Sequence, residues 1–422
     1  MRVVQFSTYA DAGGAARAAR RLHVGLRGIG VDSRMLALER GGSGDDSTAA
    51  VYPDPREAAT WSAIERQCIV QNRSDVSNTW FSTGRPGCDV ADHPWVVEAD
   101  VLHLHWVPGL LASRDVGRLL ARGKRLVWTL HDEWPFTGGC HFTAGCERWR
   151  TRCHACPQLR SDPHRIVEAI FDDKLAECAG GTLTLAAPSR WLAERAAQSA
   201  IFGGRRSVCI EHGLDLATWS PVGRDERRRE LGLAPDDSLI LFTAGDVAER
   251  RKGFHVLLDA LTGLQPAVAG AKLHVAVLGW CPPEAIAAAR ERLPMPLIAC
   301  GSIADDARAA ATYAAADLFV IPSLEDNLPN TIVESLACGT PVVGSAAGGI
   351  PEALARQSFD ACAPVGDAAA LASRIESALA MRDRRDALRV ASRAIAERHY
   401  ALERHAREYL ALYHDLVGAA MR

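Results

Sequence analysis

The sequence predicts an α/β protein made of two doubly wound domains. Apolar segments typical of buried strands alternate with helical segments in both halves of the chain, and a polar stretch over 217–232 separates the halves. The length of 422 residues also exceeds what one hydrophobic core ordinarily holds. We therefore expect an N-terminal domain over 1–216, a C-terminal domain over 217–395 and a helical segment over 396–422.

The first half contains five short apolar runs that we predict to be strands, with a helix over about Ala15–Arg27 after the first of them. The predicted strands are Val3–Phe6, Leu102–His105, Leu126–Leu130, Leu183–Ala187 and Val208–Ile210. His103 and His105 lie on one face of the second strand, and we interpret both as structural.

The second half repeats this pattern. Its predicted strands are Leu239–Phe242, His274–Leu278, Leu297–Ile298, Leu318–Ile321 and a strand beginning at Val342. A helix from about Thr331 to Cys338 ends at Gly339, which suits the left-handed position after a helix. From about Asp383 the chain is predicted to be helical, with Tyr409, Tyr413 and Leu416 on one stripe.

Composition limits the class of protein. The apolar fraction of 48% and charged fraction of 23% are ordinary for a globular protein, and a net charge of −3 argues against a general nucleic-acid binder. No apolar run approaches the roughly 18 residues of a membrane span. The N-terminus enters a strand directly, without a signal peptide's cleavage region, so we expect a cytoplasmic protein.

Acidic and basic side chains follow the strands of the second half. Asp326 lies in the polar loop after Leu318–Ile321, and Glu334 follows eight positions later on the next helix. Open α/β sheets bind ligands beyond the carboxyl ends of their strands, so this loop is a candidate site. The alternative for Glu334 is a capping box with Thr331.

Arg250, Arg251 and Lys252 open a helix after the strand Leu239–Phe242. Cations are unfavourable at the positive end of a helix, so their presence indicates a bound anion, and such groups can neutralise a diphosphate leaving group. The alternative is a solvated basic helix start.

Two features of the first half also lie at strand ends. Gly13 and Gly14 join the first strand to the first helix, where a ligand can approach the backbone closely, although a plain turn is the alternative. His131 and Asp132 end the strand Leu126–Leu130. A single histidine there is either a ligand-binding residue or a satisfied core residue.

Four cysteines are clustered within 138–157, a segment with little apolar content. Cys140, Cys146, Cys153 and Cys156 have the spacing C-x5-C-x6-C-x2-C, which fits a structural tetrahedral zinc site, with His141 and His154 as alternative ligands. Free thiols or disulfides are the other interpretations.

These motifs together resemble retaining glycosyltransferases of the GT-B fold, family 4 (glycosyl transferases group 1). The resemblance is strongest over 317–352, with the acid-x7-Glu pair, the turn from Cys338 through Gly339-Thr-Pro-Val-Val and the Gly348-Gly349-x-x-Glu352 loop. The first acid is Asp326 where the family usually has Glu. Asp246 also stands where an arginine is usual, which assigns that arginine's role to Arg251, with Arg250 as rival. The Cys-rich segment resembles one in a subset of bacterial polysaccharide glycosyltransferases.

The resemblance implies two Rossmann-like domains facing across a cleft, with a C-terminal helix crossing back to the N-domain. It places Asp326, or its neighbour Glu325, at the transferred sugar, Glu334 at the ribose, and Arg251 and Lys252 at the diphosphate. From the N-domain, His131 would contact the donor sugar as a catalytic residue, and the Gly13-Gly14 loop would bind the donor near its phosphate. The remaining donor-binding positions implied are Asn327, Leu328, Pro329, Asn330 and Thr331.

The implied function is transfer, with retention, from a nucleotide-diphosphate sugar to a hydroxyl acceptor (a glycan, a lipid-linked glycan or a small molecule). The setting would be cell-surface polysaccharide or glycoconjugate biosynthesis, without a catalytic metal cofactor. Natural-product glycosylation, a nucleotide-sugar isomerase or hydrolase, and a non-catalytic nucleotide-sugar-binding scaffold are the alternatives. The first helix carries Arg17, Arg20, Arg21 and Arg27, which suit either peripheral contact with an anionic membrane face or a solvated surface.

Overall fold

The chain forms two units in a computed structural model that describes residues 1–42, 46–265 and 272–419. Unit 1 comprises residues 1–213 and 402–422, and unit 2 comprises residues 214–401. Both are α/β units with a parallel sheet, as the strand–helix alternation predicts.

In the described part of unit 1, seven parallel strands have the order β3-β2-β1-β4-β5-β6-β7. The strands are β1 (Arg2–Phe6), β2 (Asp32–Ala37), β3 (Thr48–Ala50), β4 (Val101–Leu104), β5 (Arg125–Thr129), β6 (Thr182–Ala187) and β7 (Ser207–Cys209). The helices are α1 (Gly14–Gly28), α2 (Pro55–Cys68), α3 (Pro94–Glu98), α4 (Ser113–Ala121), α5 (Ile166–Glu177), α6 (Arg190–Gln198) and the C-terminal helix (Leu402–Ala419). Short 3-10 turns occur at Val70–Asn72, Trp134–Phe136 and Arg148–Arg150.

The C-terminal helix belongs to unit 1. Tyr409, Tyr413 and Leu416, the predicted stripe, are buried with Val3 of β1 and Leu22 of α1 in one hydrophobic cluster. Val4, the next residue along β1, lies in the cluster on the opposite face of the sheet, because successive side chains alternate across a strand. The prediction that the final helix returns to the N-terminal domain is therefore confirmed.

In the described part of unit 2, six parallel strands have the order β10-β9-β8-β11-β12-β13. The strands are β8 (Ser238–Asp246), β9 (Leu273–Trp280), β10 (Leu297–Gly301), β11 (Leu318–Ile321), β12 (Val342–Ser345) and β13 (Cys362–Ala363). The helices are α7 (Arg224–Glu230), α8 (Phe254–Thr262), α9 (Pro283–Arg292), α10 (Asp306–Ala315), α11 (Asn330–Ala337), α12 (Ile350–Leu354), α13 (Ala368–Ala380) and α14 (Arg385–His399). Short 3-10 turns occur at Arg250–Lys252 and Arg382–Arg384.

The stretch 217–232, predicted to be a polar linker, contains α7 and is part of unit 2. Arg228 is buried there and donates to the carbonyl of Ala315 at 2.9 Å and to Asp317 at 3.3 Å. Arg224 donates to the same carboxylate at 2.6 Å. The prediction was wrong because charged residues that would be solvated in a linker are here paired with a buried aspartate and with helix-end carbonyls. No helix among the described residues is long and apolar enough to span a bilayer.

Candidate functional site

The sheet of unit 2 reverses its strand order between β8 and β11. From β8 the chain builds β9 and β10 outward on one side, and it then returns to place β11 on the other side of β8. Open α/β sheets bind ligands beyond the strands' carboxyl ends at such a reversal. The loops after β8 and β11 contain the basic and acidic residues that the sequence singled out.

Close backbone packing holds these two loops together. Gly253 ends the basic turn with φ +72°, and a Cβ on it would lie 1.9 Å from the carbonyl oxygen of Pro322, just beyond β11. Arg251 accepts a backbone hydrogen bond from Leu324 at 2.7 Å. Its guanidinium donates to the carbonyl of Glu325 at 2.8 Å. A glycine at 253 is thus required, both for its backbone conformation and for the close approach.

Asp326 lies between the two predicted cations. Its Oδ2 is 2.8 Å from Lys252 Nζ and 3.1 Å from Arg251 Nη1. Arg251 also pairs with Glu249 at 2.8 Å. The side chains of Asp326 and Arg251 are each 9% exposed and that of Lys252 22%, so the group is largely shielded from water. Burial would raise the pKa of the Asp326 carboxyl, but Lys252 and Arg251 outweigh it and hold the pKa below its usual value.

Glu325 and Arg250, the alternatives to Asp326 and Arg251, are placed differently from them. Glu325 is half-buried and offers its backbone carbonyl to Arg251, whereas Asp326 presents its carboxylate to both cations. Arg250, the rival for the arginine role, is exposed. The structure therefore brings together Arg251, Lys252 and Asp326, the three residues first chosen from the sequence.

Glu334 lies on α11, is 5% exposed and accepts a hydrogen bond from Tyr313 Oη at 3.2 Å. Helix α11 begins at Asn330 with Pro329 at the N-cap position. Thr331 is therefore already inside the helix, and the capping box considered for Thr331 and Glu334 is not formed.

The loop between β11 and α11 is also fixed. Asn327, Leu328 and Pro329 are buried, while Asn330 and Thr331 are half-buried. The backbone of Asn327 donates to Asp326 Oδ1 at 3.1 Å and accepts from Gly349 at 3.1 Å. These bonds tie the Gly348-Gly349 turn to the acidic loop. Because Pro329 offers no side-chain acceptor, the start of α11 keeps the character of an anion-binding helix end.

An open cavity lies at the carboxyl ends of β9 and β10. This cavity has about 720 Å³ of open space, and its wall includes Gly279, Trp280, Cys281 and Arg290. Trp280 is 54% exposed and pairs in register with Asp246 at the end of β8. The cavity thus borders the loop that leads to Arg251 and Lys252. The exposed Trp280 indole in its wall is a surface on which a flat ligand group can pack.

Unit 1 has its own strand-order reversal, between β1 and β4. Gly13 and Gly14 follow β1, are exposed and begin α1, with Gly13 at the N-cap position and φ +88°. The predicted glycine loop therefore lies at the ligand-binding edge of this sheet.

His131 follows β5 and is partly buried in a cluster of histidines. Its Nε2 is 3.1 Å from His105 Nδ1, and its ring stacks on His212 with centroids 5.9 Å apart. His105 Nε2 in turn contacts Gln5 Oε1 at 2.9 Å. Burial, reinforced by His105 and His212, lowers the pKa of His131 well below its usual value, so this imidazole is neutral near pH 7.

His103 in β4 and His105, the residue directly after that strand, differ in their surroundings. His103 contacts the hydroxyls of Tyr413 at 2.6 Å and Thr129 at 2.7 Å, which agrees with the structural role predicted. His105, predicted to be structural as well, contacts His131 directly and orients its ring.

The clustered cysteines line one small cavity beside Trp149. All twelve cysteines of the chain are free thiols. Burial raises the pKa of Cys140 and of Cys156, and that of Cys153 to about 11, so thiolates there would need a cation. Across the ranges 1–42, 46–265 and 272–419, no three His, Cys, Asp or Glu side chains are already arranged to hold a metal ion. The four thiols therefore share a cavity, but the described residues have no ready-made metal-ligand geometry there.

The histidines proposed as alternative ligands are differently placed. His141 contacts Asp132 through Nδ1 at 2.7 Å and Ser82 through Nε2 at 2.9 Å, so both ring nitrogens are occupied. His154 is exposed, and its Nδ1 is 2.8 Å from the carbonyl of Arg152.

Sequence reasoning missed several residues at the edge of the unit 1 sheet. Tyr9 follows β1 and Trp106 follows β4, and the two rings stack with centroids 5.8 Å apart. Asp132 accepts from Trp106 Nε1 at 2.9 Å. The rule that selected His131, a functional type of residue directly after a strand, applies equally to Tyr9 and Trp106.

Comparisons with known proteins place these features in context. Residues 238–381 match the family glycosyl transferases group 1. A protein of Escherichia coli K12 assigned to colanic acid biosynthesis, the glycosyl transferase WcaC, is 26% identical over 371 residues, covering 82% of this chain and 83% of that protein. The D-inositol 3-phosphate glycosyltransferase of Segniliparus rotundus is 34% identical over 152 residues, covering 35% of this chain and 33% of that enzyme.

Solved structures share the fold over nearly the whole chain. Sucrose-phosphate synthase from Thermosynechococcus elongatus has a TM-score of 0.69 and 18% identity, covering 99% of both chains. WaaG, a glycosyltransferase involved in lipopolysaccharide biosynthesis, has a TM-score of 0.65 and 17% identity, covering 96% of this chain and 98% of that one. Anabaena HepE, solved in complex with UDP-glucose, has a TM-score of 0.62 and 16% identity, covering 98% and 99%.

Proposed function

We propose that this chain, a group 1 glycosyltransferase with the GT-B fold, transfers a sugar from a nucleotide-diphosphate donor to a hydroxyl acceptor with retention of configuration. The family and the fold confirm the resemblance found in the sequence. The donor, the stereochemistry and the biological setting are the parts proposed here.

The observation that carries the donor proposal is the group formed by Arg251, Lys252 and Asp326 at the strand-order reversal of unit 2. Two cations and the start of α11 meet the needs of a diphosphate, which requires positive charge and backbone N–H donors. Glu334, buried on the same helix, offers a carboxylate to the ribose hydroxyls. Anabaena HepE, which shares the fold, was solved with UDP and with UDP-glucose.

The stereochemical proposal rests on the resemblance to retaining glycosyltransferases of family 4. A nucleophilic carboxylate would lead to retention through a covalent intermediate, but both oxygens of Asp326 are engaged, Oδ2 by two cations and Oδ1 by the backbone N–H of Asn327. Lys252 and Arg251 instead stabilise the charge that develops on the departing diphosphate. In this proposal the leaving phosphate oxygen takes the acceptor's proton on the face that the diphosphate vacates. Residues of the chain thus perform the charge neutralisation that a divalent metal performs in other enzymes.

We further propose that the acceptor belongs to cell-surface polysaccharide or glycoconjugate assembly. The support is the similarity to the colanic acid protein WcaC, which extends over 83% of that protein. In this proposal His131 and the Gly13-Gly14 loop, at the ligand edge of unit 1, keep the roles that the resemblance implies: His131 at the donor sugar, and the glycine loop near the donor phosphate and the acceptor.

Thermal unfolding with UDP, GDP, ADP and dTDP tests the donor site. We expect saturable stabilisation by one nucleotide, about 2.7 kcal/mol at 100 times its Kd. The shift should be lost in Lys252→Ala and kept in Arg250→Ala, which removes an adjacent exposed cation. If folded protein responds to none of the nucleotides, the donor site is wrongly assigned. Turnover of the matching nucleotide sugar in water alone would favour a hydrolase, and binding without any turnover would favour a scaffold.

A further inference from the structure

Three aromatic rings gather beyond the carboxyl ends of β1 and β4 in unit 1. Tyr9 stacks on Trp106 with an interplanar angle of 20°, and Trp80 meets Trp106 at 89° with centroids 6.0 Å apart. Trp80 is 64% exposed, whereas Tyr9 and Trp106 are half-buried. The rings lie at the strand-order reversal of this sheet, where a ligand is expected.

Trp106 is fixed in place and supports the other two rings. Its indole N–H donates to Asp132 at 2.9 Å, and its ring stacks on His141 with centroids 5.2 Å apart. Tyr9 and His141 each stack on the Trp106 ring, so the open aromatic surface belongs to Trp80 and Tyr9.

The backbone that carries Trp80 is also fixed. Its carbonyl accepts from the backbone of His141 at 3.3 Å, and Ser82 donates to the carbonyl of Gly139 at 2.9 Å. Phe81 forms an antiparallel bridge with Cys140 between these two bonds. These bonds hold the backbone of Trp80 in place while its indole stays exposed to water. A rigid, exposed apolar group of this kind is typical of a binding surface.

We propose that Trp80 and Tyr9 form a stacking platform for a pyranose ring, so that the acceptor is itself a carbohydrate. This inference rests on the proposed glycosyl transfer and names the acceptor class. The C–H face of a pyranose carries partial positive charge and packs on the negative face of an aromatic ring, leaving the hydroxyls free at the rim. Because Tyr9 lies within 20° of the Trp106 plane and Trp80 stands at 89° to it, Trp80 and Tyr9 do not form the parallel slot that a flat aromatic acceptor fills.

Saturation-transfer NMR with simple probes tests the platform. The probes are the methyl pyranosides of glucose, galactose and fucose, with 4-methylumbelliferone as a flat aromatic alcohol. Wild-type protein should transfer saturation to the ring C–H protons of at least one pyranoside, and Trp80→Ala should reduce that transfer at least fivefold. Tyr52→Ala is the matched control, because Tyr52 is a 74% exposed aromatic residue of unit 1 that follows the edge strand β3. Trp80→Phe, which keeps an aromatic face, should retain most of the signal.

Three results would overturn the inference: equal transfer in Trp80→Ala, transfer to 4-methylumbelliferone alone, or transfer to none of the pyranosides. The nucleotide-induced thermal shift, measured on the same samples, reports on unit 2 and shows whether the variants are folded. A wild-type protein that binds pyranosides but no nucleotide would contradict the donor proposal and leave the platform standing. The reverse result would contradict the platform alone.

Discussion

Replacement of Asp326 by Asn should strengthen the binding of a nucleoside diphosphate. In the free protein Asp326 occupies the cations that a diphosphate needs, because its Oδ2 contacts both Lys252 and Arg251. Asparagine keeps the shape of the side chain and removes its charge. An incoming phosphate that binds the Lys252 ammonium group then no longer meets the negative charge of a carboxylate bound to the same group.

The distances set the size of this effect. The N–H groups of the Lys252 ammonium point at tetrahedral angles, so a phosphate oxygen that accepts at the same 2.8 Å as Asp326 would lie about 4.6 Å from Asp326 Oδ2. Two unit charges at that separation repel by about 3.6 kcal/mol at an effective dielectric constant of 20. Lys252 is 22% exposed, so solvent and salt screen part of this. We expect a gain of about 1.4 kcal/mol in binding free energy, which is a tenfold lower Kd for the nucleoside diphosphate.

Isothermal titration at low and high salt measures the change, with the nucleoside diphosphate that stabilises the wild-type protein, for example UDP. Glu325→Gln removes the same charge one residue away and should alter the Kd much less, because Glu325 contacts Arg251 through its backbone carbonyl. Lys252→Met should weaken binding, so Asp326→Asn and Lys252→Met change the affinity in opposite directions. Equal or weaker binding by Asp326→Asn, in protein shown to be folded, would refute the placement of the diphosphate on these cations.

Other residues give independent tests. Glu334→Gln should weaken the binding of UDP at least tenfold and leave the binding of inorganic pyrophosphate unchanged, because the ribose is the proposed partner of Glu334. Equal losses of the two ligands' thermal shifts would contradict that role. Protein purified without chelators should carry about one zinc per chain by mass spectrometry, and Cys153→Ser should lower both the zinc content and the melting temperature without changing the UDP shift; metal-free, fully stable protein would contradict the zinc site. Burial lowers the pKa of His405 to about 3, so the unfolded chain binds the additional proton below pH 6.5, and this one group lowers the stability by roughly 1 kcal/mol per pH unit toward pH 4. His405→Gln, which can still donate to the Glu211 carbonyl 2.6 Å away, should show a shallower acid slope in melting temperature.

The sequence predicted most strands of both sheets because those strands are buried on both faces and read as apolar runs. It missed β2, which opens with Asp32-Ser-Arg34, and β3, which is three small residues at the sheet edge. It also missed α7, whose arginines look solvated in sequence but are paired with Asp317 and helix-end carbonyls in the fold. Partners distant in sequence cannot be read from local composition.

The candidate site, too, could be predicted from the sequence only in part. Strand ends marked both loops as candidate sites, and the resemblance to family 4 singled out Arg251, Lys252 and Asp326 within them. Neither could show that Asp326 rather than Glu325 points at the cations, because adjacent residues in a loop differ only in backbone direction. The close approach of Gly253 to Pro322 was equally invisible, since it joins two loops about seventy positions apart.

Strand order, which a local pattern does not determine, decides which loops can act together. Unit 1 and unit 2 each reverse their order beside the first strand, next to β4 in one and β11 in the other. In unit 2 that reversal brings two cations and a carboxylate into contact, a charged arrangement suited to a diphosphate. In unit 1 it brings Tyr9 and Trp106 together, an aromatic arrangement suited to the apolar face of a sugar. The same topological rule thus yields two chemically different surfaces, and this difference is the physical basis for assigning the donor to unit 2 and the acceptor to unit 1.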